Sequence, residues 1–255
     1  AGQVGDTVII SFTPTNPLIV TNTNDAGCGS LRNAITYANN KVGNDTIVFN
    51  IPSAAPWKIN LTAALPTITE RVTIDGTTQP AWSETALVEI IGNTFAGFNV
   101  AAKHTKIYGL QLANTVIAFN LTADSITIGA LGKGNVVSGT VPNSAAVLAN
   151  GTSYHYIEGN KFGTDSLGIA ARPIGGGTQG GFEFVFGASF STIRHNIISG
   201  SRASGIELDF NANNNLIEYN VIGTNKNATA AIANTGSGIS NFSSNNNTIR
   251  NNIIS

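Results

Sequence analysis

The chain has 255 residues, 42% of them hydrophobic and only 11% charged, with a formal net charge of −1. That balance excludes the basic face a nucleic-acid partner needs and any strong attraction to an anionic membrane. No apolar run approaches the roughly 20 residues of a membrane-spanning helix, so no membrane span is expected. A single cysteine, Cys28, excludes an internal disulfide and is expected to be a small buried apolar residue. Aromatic content is 7%, while glycine (28 residues) and asparagine are abundant, which suits short strands and tight corners better than helices. The chain starts at Ala1 and contains no methionine, as a processed or excised segment would.

Residues 1–16 read as an N-terminal extension set apart by Pro14 and Pro17, with a strand over 6–12. Residues 17–104 read as an N-terminal cap with the first coils. Within them 18–21 is a strand. Residues 30–40 place apolar side chains at Leu31, Ala34, Ile35 and Ala38, which is helical spacing, with Ser30 as N-cap and Gly43 as the stop. A lone amphipathic helix there is suited to covering the open end of a solenoid core. Strands follow over 46–49, 57–61, 71–76 and 87–92, broken by Pro52, Pro56, Pro66 and Pro80 at coil corners.

Residues 105–255 repeat one pattern. Its copies are Tyr156-Ile157-Glu158-Gly159-Asn160, Thr192-Ile193-Arg194-His195-Asn196, Leu216-Ile217-Glu218-Tyr219-Asn220 and Thr248-Ile249-Arg250-Asn251-Asn252, with a weaker copy ending at Asn135. Units too short to enclose a core alone must stack, at the strand spacing of about 4.8 Å. Alignment on the isoleucines forms an outward column Glu158, Arg194, Glu218, Arg250, whose alternating charges fix register and contribute about 0–1 kcal/mol per exposed pair. A second column, Asn135, Asn160, Asn196, Asn220, Asn252, is expected at a corner, where asparagine tolerates left-handed backbone and hydrogen-bonds along the stack. Long connections over 163–180 and 223–237 are expected to project as loops on one side.

Several runs carry a family resemblance. Val20-Thr21-Asn22-Thr23-Asn24-Asp25, Cys28-Gly29-Ser30-Leu31-Arg32-Asn33-Ala34-Ile35 and Leu65-Pro66-Thr67-Ile68-Thr69 are among them, as is Val72-Thr73-Ile74-Asp75-Gly76-Thr77-Thr78-Gln79-Pro80. They resemble the CSLREAI-type opening of bacterial secreted right-handed parallel β-helix proteins, over roughly residues 17–255. Asn33 stands where that family usually has Glu, and Gly29 is inserted after Cys28. The resemblance implies an all-β, right-handed, pectate-lyase-like parallel β-helix with an N-terminal capping helix. It also implies an exported, extracellular or cell-surface bacterial location, and it implies no agreed activity.

The same alignment sets Glu183 beneath Glu207, with Asp209 on the same outward face, while Phe182, Phe184, Phe186 and Ile206, Leu208, Phe210 are expected to point into the core. Stacked carboxylates raise one another's pKa unless a cation intervenes. Parallel β-helices that cleave polysaccharides use such carboxylates as acid, base or metal ligand, so Glu183, Glu207 and Asp209 are the candidate catalytic or calcium-binding residues. The sequence sets no cluster of Lys, Arg and carboxylate nearby of the kind a lyase would need, although Arg202 could approach. His104, His155 and His195 are dispersed and form no metal triad. The expected function is a structural, adhesive or ligand-presenting region of an exported cell-surface or filament protein. The alternatives are a polysaccharide hydrolase or lyase, or a carbohydrate-binding module without catalysis. The chain stops mid-coil at Ser255, so a longer native chain is expected, or self-association through the open C-terminal coil or the strand over 6–12.

Overall fold

The computed structural model describes residues 16–85, 87–176 and 179–255; the strand expected over 6–12 lies outside them. Short apolar runs separated by corner residues form three sheets, all parallel. The first collects Ile19–Val20, Asp45–Phe49, Val72–Asp75, Lys106–Tyr108, Thr127–Ile128, Tyr156–Glu158, Thr192–Arg194, Leu216–Glu218 and Thr248–Arg250. The second runs from Lys58–Asn60 to Ile253–Ile254, and the third from Phe98–Val100 to Ile239–Phe242. The chain visits the three in turn, and each strand pairs with its equivalent one coil on, as in a parallel β-helix or solenoid. The first sheet passes without a break from Val72–Asp75 to Lys106–Tyr108.

Inward side chains make one core along the stack. The anchors Ile107, Ile128, Ile157, Ile193 and Ile217 are fully buried, with Phe162, Phe182, Phe184, Ile206 and Leu208 beside them. The helix spans Leu31–Asn39 and buries Leu31, Ala34, Ile35 and Ala38, facing the strands Ile19–Val20 and Asp45–Phe49. Ser30 caps it by accepting the Asn33 N–H at 3.1 Å. It ends at Asn40, before the expected Gly43. Arg32 ties it down, donating to the Asp25 carboxylate at 2.6 Å and to the Ala63 carbonyl at 2.7 Å. Cys28 is exposed rather than buried, because it lies in the turn before the helix instead of on its apolar face.

The asparagine column is an internal ladder. Asn160 donates its backbone N–H and its Nδ2 to Asn196 Oδ1, both at 3.0 Å; Asn196 repeats this with Asn220, and Asn220 with Asn252. The asparagines themselves are not the left-handed residues, as the sequence pattern suggested. That conformation belongs to the residue before each one, with φ of 72° at Gly159, 53° at His195, 55° at Tyr219 and 56° at Asn251. A corner residue turns the chain, and the asparagine after it, turned inward, satisfies the backbone groups the turn leaves unpaired.

The charge column has the expected register: Glu158 opposes Arg194, which opposes Glu218, which opposes Arg250. Arg194 binds Glu158 at 2.8 Å, and Arg250 binds Glu218 at 2.8 Å. The pairs are less exposed than expected, since Glu158 and Glu218 are only 7% and 4% accessible. Charge-assisted bonds to covered carboxylates are worth more than surface pairs. Glu218→Gln is therefore expected to lower stability by about 1–2 kcal/mol, read from the urea midpoint, and to lose much of the difference in high salt.

The long connections differ in part from expectation. Each forms a small hairpin, closed by antiparallel bridges Thr164–Ala171 and Thr224–Ala231. Asp165 and Asn225 staple these turns by accepting the N–H groups of Ile169 and Thr229, each at 2.9 Å. The hairpins lie on one side and touch, with Lys226 N–H donating to Gly168 O at 2.8 Å. The chain then returns to the body, because Ile174 and Ile232 are apolar and buried.

Candidate functional site: a carboxylate face edged by stacked rings

The third sheet presents an outward column of Asn99, Asn120, Leu148, Glu183, Glu207 and Ser240. Glu183 and Glu207 are thus direct neighbours across the strands Phe182–Val185 and Ile206–Asp209, as the alignment required. Asp209 follows two residues later on the same face and is level with Phe242 on the next coil.

Glu183 is only 7% accessible. Burial, with the negative charges of Glu207 and Asp209, pushes its carboxyl up to about 7, against the opposing Gly180 N–H, which donates to Oε1 at 3.1 Å. Burial raises Glu207 as well, with Asp209 adding to it and Ser204 hydrogen bonds opposing it. Gly180 leaves room for the Glu207 side chain, since a Cβ there would lie 2.8 Å from the Glu207 carboxyl carbon. Asp209 Oδ1 is shut off from solvent and has no hydrogen-bond partner. Among the described residues no lysine or arginine forms an ion pair with Glu183, Glu207 or Asp209. Arg202 does not approach them; it donates to the carbonyls of Thr140 and Gly175 at 3.2 and 3.3 Å. No group of three His, Cys, Asp or Glu among the described residues is arranged to hold a metal ion.

The residues that sequence reasoning missed are aromatic. Phe186 and Phe210 were expected in the core by continuing the alternation of their strands, but the strands end at Val185 and Asp209. Both residues adopt left-handed backbone, with φ of 53° and 52°, which swings their rings outward to 60% and 47% accessibility. The two rings stack at 5.0 Å and 5°, and Phe242 meets Phe210 edge-on at 6.2 Å. Tyr154 and Phe190, in the same turn between the third and first sheets, form a second exposed stack at 5.3 Å, also at positive φ. The next corner carries a third stack, His195 on Tyr219 at 5.2 Å. Left-handed backbone costs a bulky residue roughly 1–2 kcal/mol. The sequence signal was available: all three pairs fall at equal offsets from the aligned strands, at corner positions that other coils fill mostly with small or polar residues such as Gly151, Ser243, Ser125 and Asn214.

Among the surface cavities, two lie elsewhere. One, of about 210 Å³, is edged by Leu131, Ile197, His195 and the ion pair of Lys161 with Glu84 at 3.3 Å. The other, of about 540 Å³, lies beside Pro52, Trp57 and Pro80. His155 is buried, not solvent-facing, and burial lowers its pKa to about 4.

No protein-family model matches the chain, and no curated protein matches its sequence. No helix among the described residues is long and apolar enough to cross a membrane.

Proposed function

We propose that the chain is a ligand-presenting, adhesive region of an exported bacterial cell-surface or filament protein, and that its ligand is a polysaccharide laid along the third sheet and its adjoining corner. The observation that carries this reading is the exposed stack of Phe186 and Phe210 with Phe242 against its edge. Rigid rings offer apolar faces to the apolar faces of sugar rings at little entropic cost. Their left-handed backbone is unfavourable for bulky side chains, and such strain gathers where function retains it. The coils are proposed to wind right-handedly, as crossovers between parallel strands do, with the helix Leu31–Asn39 closing the end of the stack. Resemblance to the CSLREAI-type secreted proteins supports export.

A second reading, polysaccharide cleavage by Glu183 and Glu207, has one observation in its favour: burial holds Glu183 protonated near neutral pH beside a second carboxyl group, as a general acid requires. Against it, Glu183 is almost wholly covered, and neither cavity described above is edged by it.

Phe186→Asn and Phe210→Asn together test the binding reading. Asparagine suits the left-handed backbone, so the double variant is expected to unfold no more readily than the parent while losing at least tenfold in affinity for the bound polysaccharide on an immobilised glycan panel. Equal binding by parent and variant, or loss of fold without a specific loss of binding, would leave the rings a packing role only.

A further inference from the structure

The ring-lined corner is also an unneutralised acidic one. Asp209 adjoins Phe210 in sequence and opposes Phe242 in register. The residue is half-exposed, and although its Oδ1 is closed to solvent, its carboxyl group forms no ion pair with any described lysine or arginine. Two more carboxyl groups, Glu207 and Glu183, continue along the same face. Several carboxylates elsewhere on the stack are paired: Glu158 with Arg194, Glu218 with Arg250, Asp75 with Lys133, Glu89 with Lys58. This corner combines exposed aromatic rings with carboxyl groups that no described lysine or arginine neutralises.

That combination selects for charge. A neutral glycan would meet the rings and leave the carboxylates unanswered. An acidic glycan would meet carboxyl groups and no cation. A protonated amine meets both, because an ammonium group is attracted to a carboxylate and to the face of an aromatic ring within about 6 Å.

We propose that the corner formed by Phe186, Phe210, Phe242 and Asp209 binds a cationic glycan, one built of amino sugars with free, protonated amino groups, with sugar faces on the rings and an ammonium group at Asp209. The inference rests on the polysaccharide-binding reading above and narrows its substrate class.

The test is titration calorimetry of the intact chain with short oligomers of equal length, in mildly acid buffer where the amine is charged. The oligomers are of glucosamine, N-acetylglucosamine, glucose and galacturonic acid, with a lysine oligopeptide alongside. The glucosamine oligomer is expected to bind at least tenfold tighter than the others. Asp209→Asn, which keeps the side-chain shape, should remove that preference, bringing the glucosamine oligomer to the affinity of the glucose oligomer. Phe210→Asn should weaken every glycan. If the glucose or N-acetylglucosamine oligomer binds as tightly as the glucosamine one, the amino-group inference falls and the glycan reading stands. If Asp209→Asn leaves the preference intact, the assignment to Asp209 is wrong. Equal binding of the lysine peptide would mean the face reads charge and not sugar. If no glycan binds, both readings fall together.

Discussion

Replacing Asn196 by alanine is expected to lower the unfolding free energy by about 3–5 kcal/mol, one of the largest losses any single polar residue here should give. Asn196 Oδ1 accepts from both the backbone N–H and Nδ2 of Asn160, and its own Nδ2 donates to the carbonyls of Ile157 and Arg194, each at 2.9 Å. Truncation leaves the Asn160 N–H buried without a partner, at about 1–3 kcal/mol, removes the side-chain bonds to the Ile157 and Arg194 carbonyls, and opens a gap in the ladder. Asn252→Ala is the internal control. Asn252 is the last rung and only half-buried, so water can replace its bonds and the loss should stay near 1 kcal/mol. Urea unfolding followed by circular dichroism reads both. Equal losses at Asn196 and Asn252 would mean the ladder adds nothing beyond local turn formation.

Glu183→Gln is expected to stabilise the protein at alkaline pH by about 2–3 kcal/mol and to do little in acid. The carboxyl goes from an ordinary value of 4.5 up to about 7 in the folded chain, through burial first and then the charges of Glu207 and Asp209. Between those values the folded state holds a proton that the unfolded state releases, so stability falls as pH rises through the window and levels off above it. Glutamine keeps an acceptor for the Gly180 N–H and carries no charge to desolvate. His155 acts in the opposite sense. Its pKa is lowered from 6.5 to about 4 by burial, so its contribution is lost as pH falls from about 6.5 toward about 4. The two slopes oppose each other in the parent protein. The difference between parent and variant isolates Glu183, because His155 is common to both. That difference should grow from near zero below about pH 4.5 to its full size above about pH 7. A difference that stays flat with pH would mean that Glu183 is ionised and hydrated in the fold.

The repeat, the charge column and the Glu183–Glu207 pairing were legible because they depend only on equal offsets from isoleucines that cannot leave the core. Where that anchor is missing, the strands were not seen. Phe98–Val100, Phe119–Leu121 and Val147–Asn150 are three or four residues long and lack the isoleucine motif, although Asn93-Thr94 before Phe98-Asn99 and Asn114-Thr115 before Phe119-Asn120 repeat a motif of their own. The burial of Glu158 and Glu218 escaped because a column judged outward can still be roofed by its own arginines. The ring corner was misread for a different reason. Alternation assigns Phe186 and Phe210 inward for as long as the strand lasts, and the strand ends one residue earlier, at a backbone conformation that ring-bearing residues seldom adopt. The cue lay in comparing equivalent corner positions between coils: Gly151, Phe186, Phe210 and Ser243 share one positive-φ site, and only two of the four carry rings.

Amide hydrogen exchange with and without the tightest-binding glycan of the panel tests the central claim most directly, because it locates the ligand without a substitution. Added protection is predicted in two neighbouring segments of the stack, residues 183–191 and 207–214, extending to 242–246 on the next coil. Protection centred on the helix Leu31–Asn39, on the hairpins over 164–171 and 224–231, or on the cavity beside Lys161, or no added protection anywhere, would contradict it.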